Sequence, residues 1–122
     1  MQVLTNCTIY TGEEILTCHA VVIDKGLIKD IISEEDIPKD ALSIDLQGHD
    51  LTAGFVDLQL YGGQTGFFGR DLSFDSLDEM IQTHRQDGTV ALVPTLYSSS
   101  HSRILKAIEV TKSYIQSGKK GF

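Results

Sequence analysis

The sequence predicts an α/β chain in which a small antiparallel β-module leads into alternating strands and helices. Three observations predict it. Short runs of strand formers, separated by Gly-containing turns, fill the first fifty residues. From Leu51 onward, apolar strand-like runs alternate with segments of helical periodicity. Alternation of that kind implies parallel strands joined by helical crossovers.

Residues 3–10 carry strand formers and stop at the turn signal Thr11-Gly12-Glu13. Short strands are predicted at 15–17 and 20–23. The turn Asp24-Lys25-Gly26 then sends 27–32 back as a hairpin, because Gly supplies the positive φ that such turns need. Residues 33–39 form a polar, acidic connection. Residues 42–46 alternate and meet a predicted turn at Gln47-Gly48-His49-Asp50, which completes a sandwich layer.

The second half opens with a mostly apolar run at 54–60, followed by Tyr61-Gly62-Gly63 and a loop containing Gly66 and Gly69. Ser76 and Glu79 have the spacing of a capping box, and Leu77, Met80, Ile81 and His84 share one helical face. Gly88 marks the end of that helix. A second strand is predicted at 89–94. Ser98-Ser99-Ser100 then caps a helix whose apolar stripe is read as Ile104, Leu105, Ile108 and Ile115, ending at Ser117-Gly118. Two parallel strands cannot close a core, since both their faces need cover. Gly121-Phe122 falls where a third strand should begin, so the chain is expected to be the front part of a longer protein.

With a formal net charge of −7 and no basic stripe, the chain is not built for nucleic acid or an anionic membrane. The pair Lys119-Lys120 reads as a solvated helix terminus. No apolar run approaches the roughly 18 residues of a spanning helix, and the first residues lack signal-peptide features. A cytoplasmic location is expected. Cys7 and Cys18 belong to no Cys/His cluster; two buried free thiols are expected, with a disulfide left open.

Residues 51–62, Leu-Thr-Ala-Gly-Phe-Val-Asp-Leu-Gln-Leu-Tyr-Gly, resemble the strand-one signature of the amidohydrolase superfamily. There a small β-sandwich leads into a TIM-type (β/α)8 barrel through Pro-Gly-Phe-Ile-Asp-x-His-x-His. Residues 59–63, 67–71 and 88–96 narrow the resemblance to the N-acetylglucosamine-6-phosphate deacetylase family. The resemblance implies a β-sandwich part over residues 1–52 and the first two β/α units of the barrel over 53–122. It also implies hydrolysis of N-acetylglucosamine 6-phosphate to glucosamine 6-phosphate and acetate by a homodimer. Alternatives left open are another amidohydrolase, acting on a different N-acetyl sugar or a cyclic amide, and a non-catalytic binding module.

Two departures from the superfamily pattern concern the chemistry. Gln59 and Tyr61 stand where the two strand-one His ligands would be. Residues i and i+2 share one face of a strand, so this pair is expected to point together into the barrel mouth. Amide and phenol are poor zinc ligands. This fits family members that use one divalent ion, zinc, held by a Glu and two His further along, the Glu in a His-x-Glu-Gly-Pro stretch past Phe122. Active sites of such barrels lie at the C-terminal ends of the strands, so Gln59, Tyr61, Gly62 and Thr95 are the expected substrate-site lining. No catalytic residue and no metal ligand is expected within this stretch.

Other polar residues receive structural readings. Asp57 is read as a partner for loop amides, because the family's catalytic Asp lies on a late strand. His19, His49, His84 and His101 are scattered without metal-ligand spacing. The Gly62, Gly63 and Gly66 loop could cradle an anion through its amides, but its glycines are read as letting the chain turn sharply. Asp75 and Asp78 are assigned to complementing a helix dipole.

Overall fold

The strand-forming runs of the first fifty residues pair into one mixed sheet. The computed structural model describes residues 1–119, and the chain divides into two compact units, Met1–Ala53 and Gly54–Phe122. The first unit contains β1 (Gln2–Tyr10), β2 (Ile15–Leu16), β3 (His19–Asp24), β4 (Leu27–Ser33), a 3-10 turn (Glu34–Asp36) and β5 (Leu42–Thr52). In the hairpin between β3 and β4, Lys25 and Gly26 sit at φ 51° and 80°. Two successive positive φ values are what a two-residue hairpin loop requires.

Two expectations for this unit are corrected. The module is not purely antiparallel: β5 runs parallel to β1 along its whole length, while β2 and β3 pair antiparallel with β1. The predicted turn at residues 47–50 is instead a bulge inside β5. Register slips between the Thr5↔Asp45 and Cys7↔His49 pairs, with Asn6, Gln47 and Gly48 at positive φ. The Asp45 carboxylate holds the bulge by accepting from Gln47 N (2.8 Å) and Asn6 Nδ2 (2.7 Å). Those bonds, the backbone one foremost, lower its pKa. A Gly in a turn-like conformation thus marked a bulge, which sequence does not distinguish from a chain reversal.

Period-2 alternation makes both faces of the sheet apolar. Val3, Ala20 and Val22 cluster apart from Cys7, Ile9 and Val21. Among the described residues the strands of this unit form one five-stranded sheet. Both cysteines are free; Cys7 is buried as expected, whereas Cys18 is exposed, at φ 57° just ahead of β3.

The second unit contains β6 (Phe55–Leu60), α1 (Phe68–Asp71), α2 (Phe74–Arg85), β7 (Thr89–Pro94) and α3 (His101–Gln116), with β6 and β7 parallel as predicted. Its core is Phe68, Leu72, Leu77, Met80, Ile81, Leu92, Ala107, Val110 and Tyr114. Leu77 and Met80 are fully buried, and helix α2 stops short of Gly88, which adopts φ 91°. The capping box is not Ser76 with Glu79 but Ser73 with Ser76, each side chain bonding the other's backbone N–H. Helix α2 starts one turn earlier than predicted, and Glu79 is released for another task.

The apolar stripe of α3 is also corrected. Ile104, Leu105, Ile108 and Ile115 are 41–58% exposed, while Ala107, Val110 and Tyr114 face the core. The aliphatic side chains outnumber the buried face because the helix is apolar on two sides. Strand residues behave the same way: Leu92 is buried, yet Val56, Leu58 and Val90 remain 59%, 73% and 63% exposed. Asp78, assigned to a helix dipole, instead accepts from Tyr114 Oη and Lys119 Nζ, each at 2.5 Å. Lys119 is therefore paired, not merely solvated. Its bond, with Tyr114's, lowers the Asp78 pKa, while burial raises that of Tyr114. Lys120, Gly121 and Phe122, and with them the predicted start of a third strand, lie outside the described residues.

Candidate active site

The ends of β6 and β7 are brought together by pairing that continues past the strands. Leu60 pairs with Pro94, and Thr95 N donates to Leu60 O at 2.7 Å. Upstream, Asp57 pairs with Leu92, so three steps along β6 span two along β7. This is a bulge, and bulges re-aim side chains beside functional sites. The Asp57 carboxylate secures it by accepting from Gln59 N at 2.9 Å, the backbone-binding role expected of it.

After the bulge, Leu60 packs against the helical core. Strand alternation therefore sends its neighbours Gln59 and Tyr61 to the opposite face. They meet there: Gln59 Nε2 donates to Tyr61 Oη at 2.6 Å. Leu96 likewise packs against the core, and Tyr97, next to it, stacks on Tyr61 with ring centroids 4.5 Å apart and 15° between planes. Phe67 stacks on Tyr97 in turn, at 5.9 Å. Sequence reasoning missed Tyr97 and Phe67. The signal for Tyr97 was present, since it lies two residues beyond Thr95 on the same alternation.

Gly62 sits where the chain leaves β6. It bridges to Phe67, and its carbonyl takes a hydrogen bond from His84 Nε2 at 2.9 Å. A Cβ on Gly62 would lie 2.6 Å from Gly66 O, so the tight return of this loop requires glycine there. The Thr95 hydroxyl donates to Val93 O at 3.3 Å. The four residues named from sequence thus surround one strand end, with Gln59 and Tyr61 in direct contact.

The glycine loop does cradle an anion, but the anion is its own. Glu79, on α2, accepts from Thr65 N and Gly66 N, both at 2.9 Å, and from Thr83 Oγ1 at 3.1 Å. The Thr65 N–H, and then the other bonds, hold its carboxyl below the usual range. Asp71 accepts from Phe67 N at 3.2 Å while bonded to Arg70, which lowers the Asp71 pKa. The amides at 65, 66 and 67 are all committed, so they are not a phosphate cradle. A Cβ on Gly63 would land on the Glu79 carboxylate.

Among the described residues no three His, Cys, Asp or Glu side chains converge as a metal set. The histidines are dispersed: His84 bonds Gly62, His19 bonds Thr17 O at 2.7 Å, His49 pairs opposite Cys7 and His101 begins α3. No helix among them is long and apolar enough to cross a membrane.

Comparison with known proteins agrees with this architecture. Residues 1–51 match the NagA composite domain family. The chain is 34% identical over 116 residues, 95% of its length, to N-acetylglucosamine-6-phosphate deacetylase of Haemophilus influenzae, covering 30% of that protein. It is 38% identical over 85 residues, 66% of its length, to N-acetylgalactosamine-6-phosphate deacetylase of a Shewanella species, covering 21% of that protein. The solved N-acetylglucosamine-6-phosphate deacetylase of Pasteurella multocida superposes with a TM-score of 0.90 at 36% identity, covering 99% of this chain and 32% of the other. The Mycobacterium smegmatis N-acetyl-D-glucosamine-6-phosphate deacetylase shares the fold, with a TM-score of 0.76 at 24% identity, over 97% of this chain and 33% of that one. The chain thus spans less than a third of the length of the curated relatives it matches, and by sequence and fold it belongs to the N-acetylglucosamine-6-phosphate deacetylase family.

Proposed function

We propose that the complete protein hydrolyses the acetamide of N-acetylglucosamine 6-phosphate, yielding glucosamine 6-phosphate and acetate. The observation that carries this reading is the 34% identity over 95% of the chain to an enzyme of that name. The hydrogen-bonded Gln59–Tyr61 pair at the end of β6 supports it further. In this reading residues 1–52 belong to a β-sandwich and residues 53–122 open a TIM-type barrel. Gln59, Tyr61, Gly62 and Thr95 line the substrate site, and the enzyme works in the cytoplasm as a homodimer.

The reaction class implies a divalent ion, with zinc as the proposed metal. Among the described residues no ligand set converges to fit one, and the Gln59 amide and Tyr61 phenol are bonded to each other. No step through a metal is therefore assigned to this chain. Its part is to bind and orient. With one N–H held by Tyr61, Gln59 presents its carbonyl oxygen as an acceptor, suited to a substrate hydroxyl or amide N–H.

Acetate release by the complete protein tests the reading, with N-acetylglucosamine 6-phosphate, N-acetylgalactosamine 6-phosphate and unphosphorylated N-acetylglucosamine compared. The highest kcat/KM is expected for the first. Preference for the galactosamine compound would transfer the reading to the activity named for the Shewanella relative. No acetate from any of the three would refute it.

A further inference from the structure

We propose that Tyr97 is a positioning residue for the deacetylation, acting through Tyr61 on the Gln59 amide; the inference rests on the functional reading above. A glutamine amide on a strand end has several rotamers of similar energy and can turn either its oxygen or its nitrogen toward a ligand. Here Gln59 Nε2 donates to Tyr61 Oη at 2.6 Å, which fixes the amide only if the phenol is itself fixed. Tyr61 has two such restraints. Its backbone carbonyl accepts from Phe68 N at 2.9 Å, and its ring lies 4.5 Å from that of Tyr97 at 15°.

Tyr97 comes from the segment just past the end of β7 and is steadied by Phe67 from the glycine loop. The stack thus ties together β6, the end of β7 and the loop at the place where Gln59 emerges. Tyr97 is not part of the buried core of the second unit; its ring packs instead on those of Tyr61 and Phe67. The closer and more nearly parallel of its two ring contacts is with Tyr61, at 4.5 Å and 15° against 5.9 Å and 28° for Phe67, so Tyr61 is the side chain it orients. Its ring face, not its hydroxyl, does this work.

The test uses the complete protein with N-acetylglucosamine 6-phosphate as substrate. Stacked rings contribute enough that Tyr97→Ala is expected to lower kcat by about fivefold to tenfold. Tyr97→Phe, which keeps the stack, is expected to stay within about twofold of wild type. The decisive readout is the Gln59→Ala background, in which Tyr97→Ala should lower kcat no further, because its target is gone. Tyr97→Leu serves as a second truncation that keeps side-chain bulk and should behave as Tyr97→Ala does. The inference is overturned if both truncations leave kcat unchanged. It is also overturned if Tyr97→Phe is as impaired as Tyr97→Ala, or if Tyr97→Ala costs as much without Gln59 as with it. A wild-type protein that releases no acetate overturns the functional reading, and this inference with it.

Discussion

Glu79 offers the most direct test of how the glycine loop is held. Its carboxylate takes two backbone N–H groups at 2.9 Å, from Thr65 and Gly66, and the Thr83 hydroxyl at 3.1 Å. Replacement by Gln keeps the shape but turns one oxygen into an NH2 group, which faces a backbone donor. Losing a hydrogen bond to a charged acceptor costs about 1.5–3 kcal/mol, and partial solvent access places the value near the lower end, at about 2 kcal/mol. At 1.36 kcal/mol per factor of ten, that is about a thirtyfold change in the opening equilibrium of the loop. Hydrogen exchange at the Thr65 and Gly66 amides should therefore accelerate about thirtyfold in Glu79→Gln of the complete protein. The pH dependence follows from the same carboxylate. Its folded pKa lies below the ordinary glutamate value of 4.5. The stabilisation is thus fully present above that value and is lost as pH falls through the depressed folded pKa. Glu79→Gln should abolish this acid sensitivity of the two amides. Unchanged exchange rates, or a wild-type loop indifferent to acid, would refute the assignment.

Three further outcomes are expected. Gln59→Ala should lower kcat/KM by roughly tenfold to a hundredfold, for loss of a hydrogen bond made mainly in the transition state, while metal content stays unchanged; kinetics and metal analysis decide it, and loss of metal would make Gln59 a ligand. Leu77→Ala should destabilise the protein by about 2–5 kcal/mol in denaturant titration, since Leu77 is fully buried at the centre of the second unit's core. Residues 1–122 produced alone should self-associate in sedimentation experiments, because Leu58, Val90 and Ile108 are 73%, 63% and 58% exposed on elements with apolar faces to cover; a monomer with sharp, reversible unfolding would contradict this.

The sequence by itself determined most of the strands and the two longer helices, the parallel pairing of the second unit and the direction of two side chains. Period 2 and period 3.6 are local properties, so β6, α2, β7 and α3 are readable from spacing, and i, i+2 geometry put Gln59 beside Tyr61 before any contact was known. The same locality explains the misreadings. Gln47-Gly48 has the torsions of a turn whether or not the strand resumes, and only pairing with β1 decides that it resumes. Helix α3 carries more aliphatic residues than one face needs, and only packing against Phe68 and Leu92 decides that Ala107, Val110 and Tyr114 turn inward. Glu79 has capping-box spacing from Ser76, yet the unpaired amides of a loop fourteen residues earlier claim its carboxylate. The bulge that Asp57 holds and the stack of Tyr97 on Tyr61 were decided in the same way. Each depends on the pairing or packing of segments distant in sequence, β6 with β7 and Tyr61 with Tyr97, and its free energy exists only once the chain has brought them together.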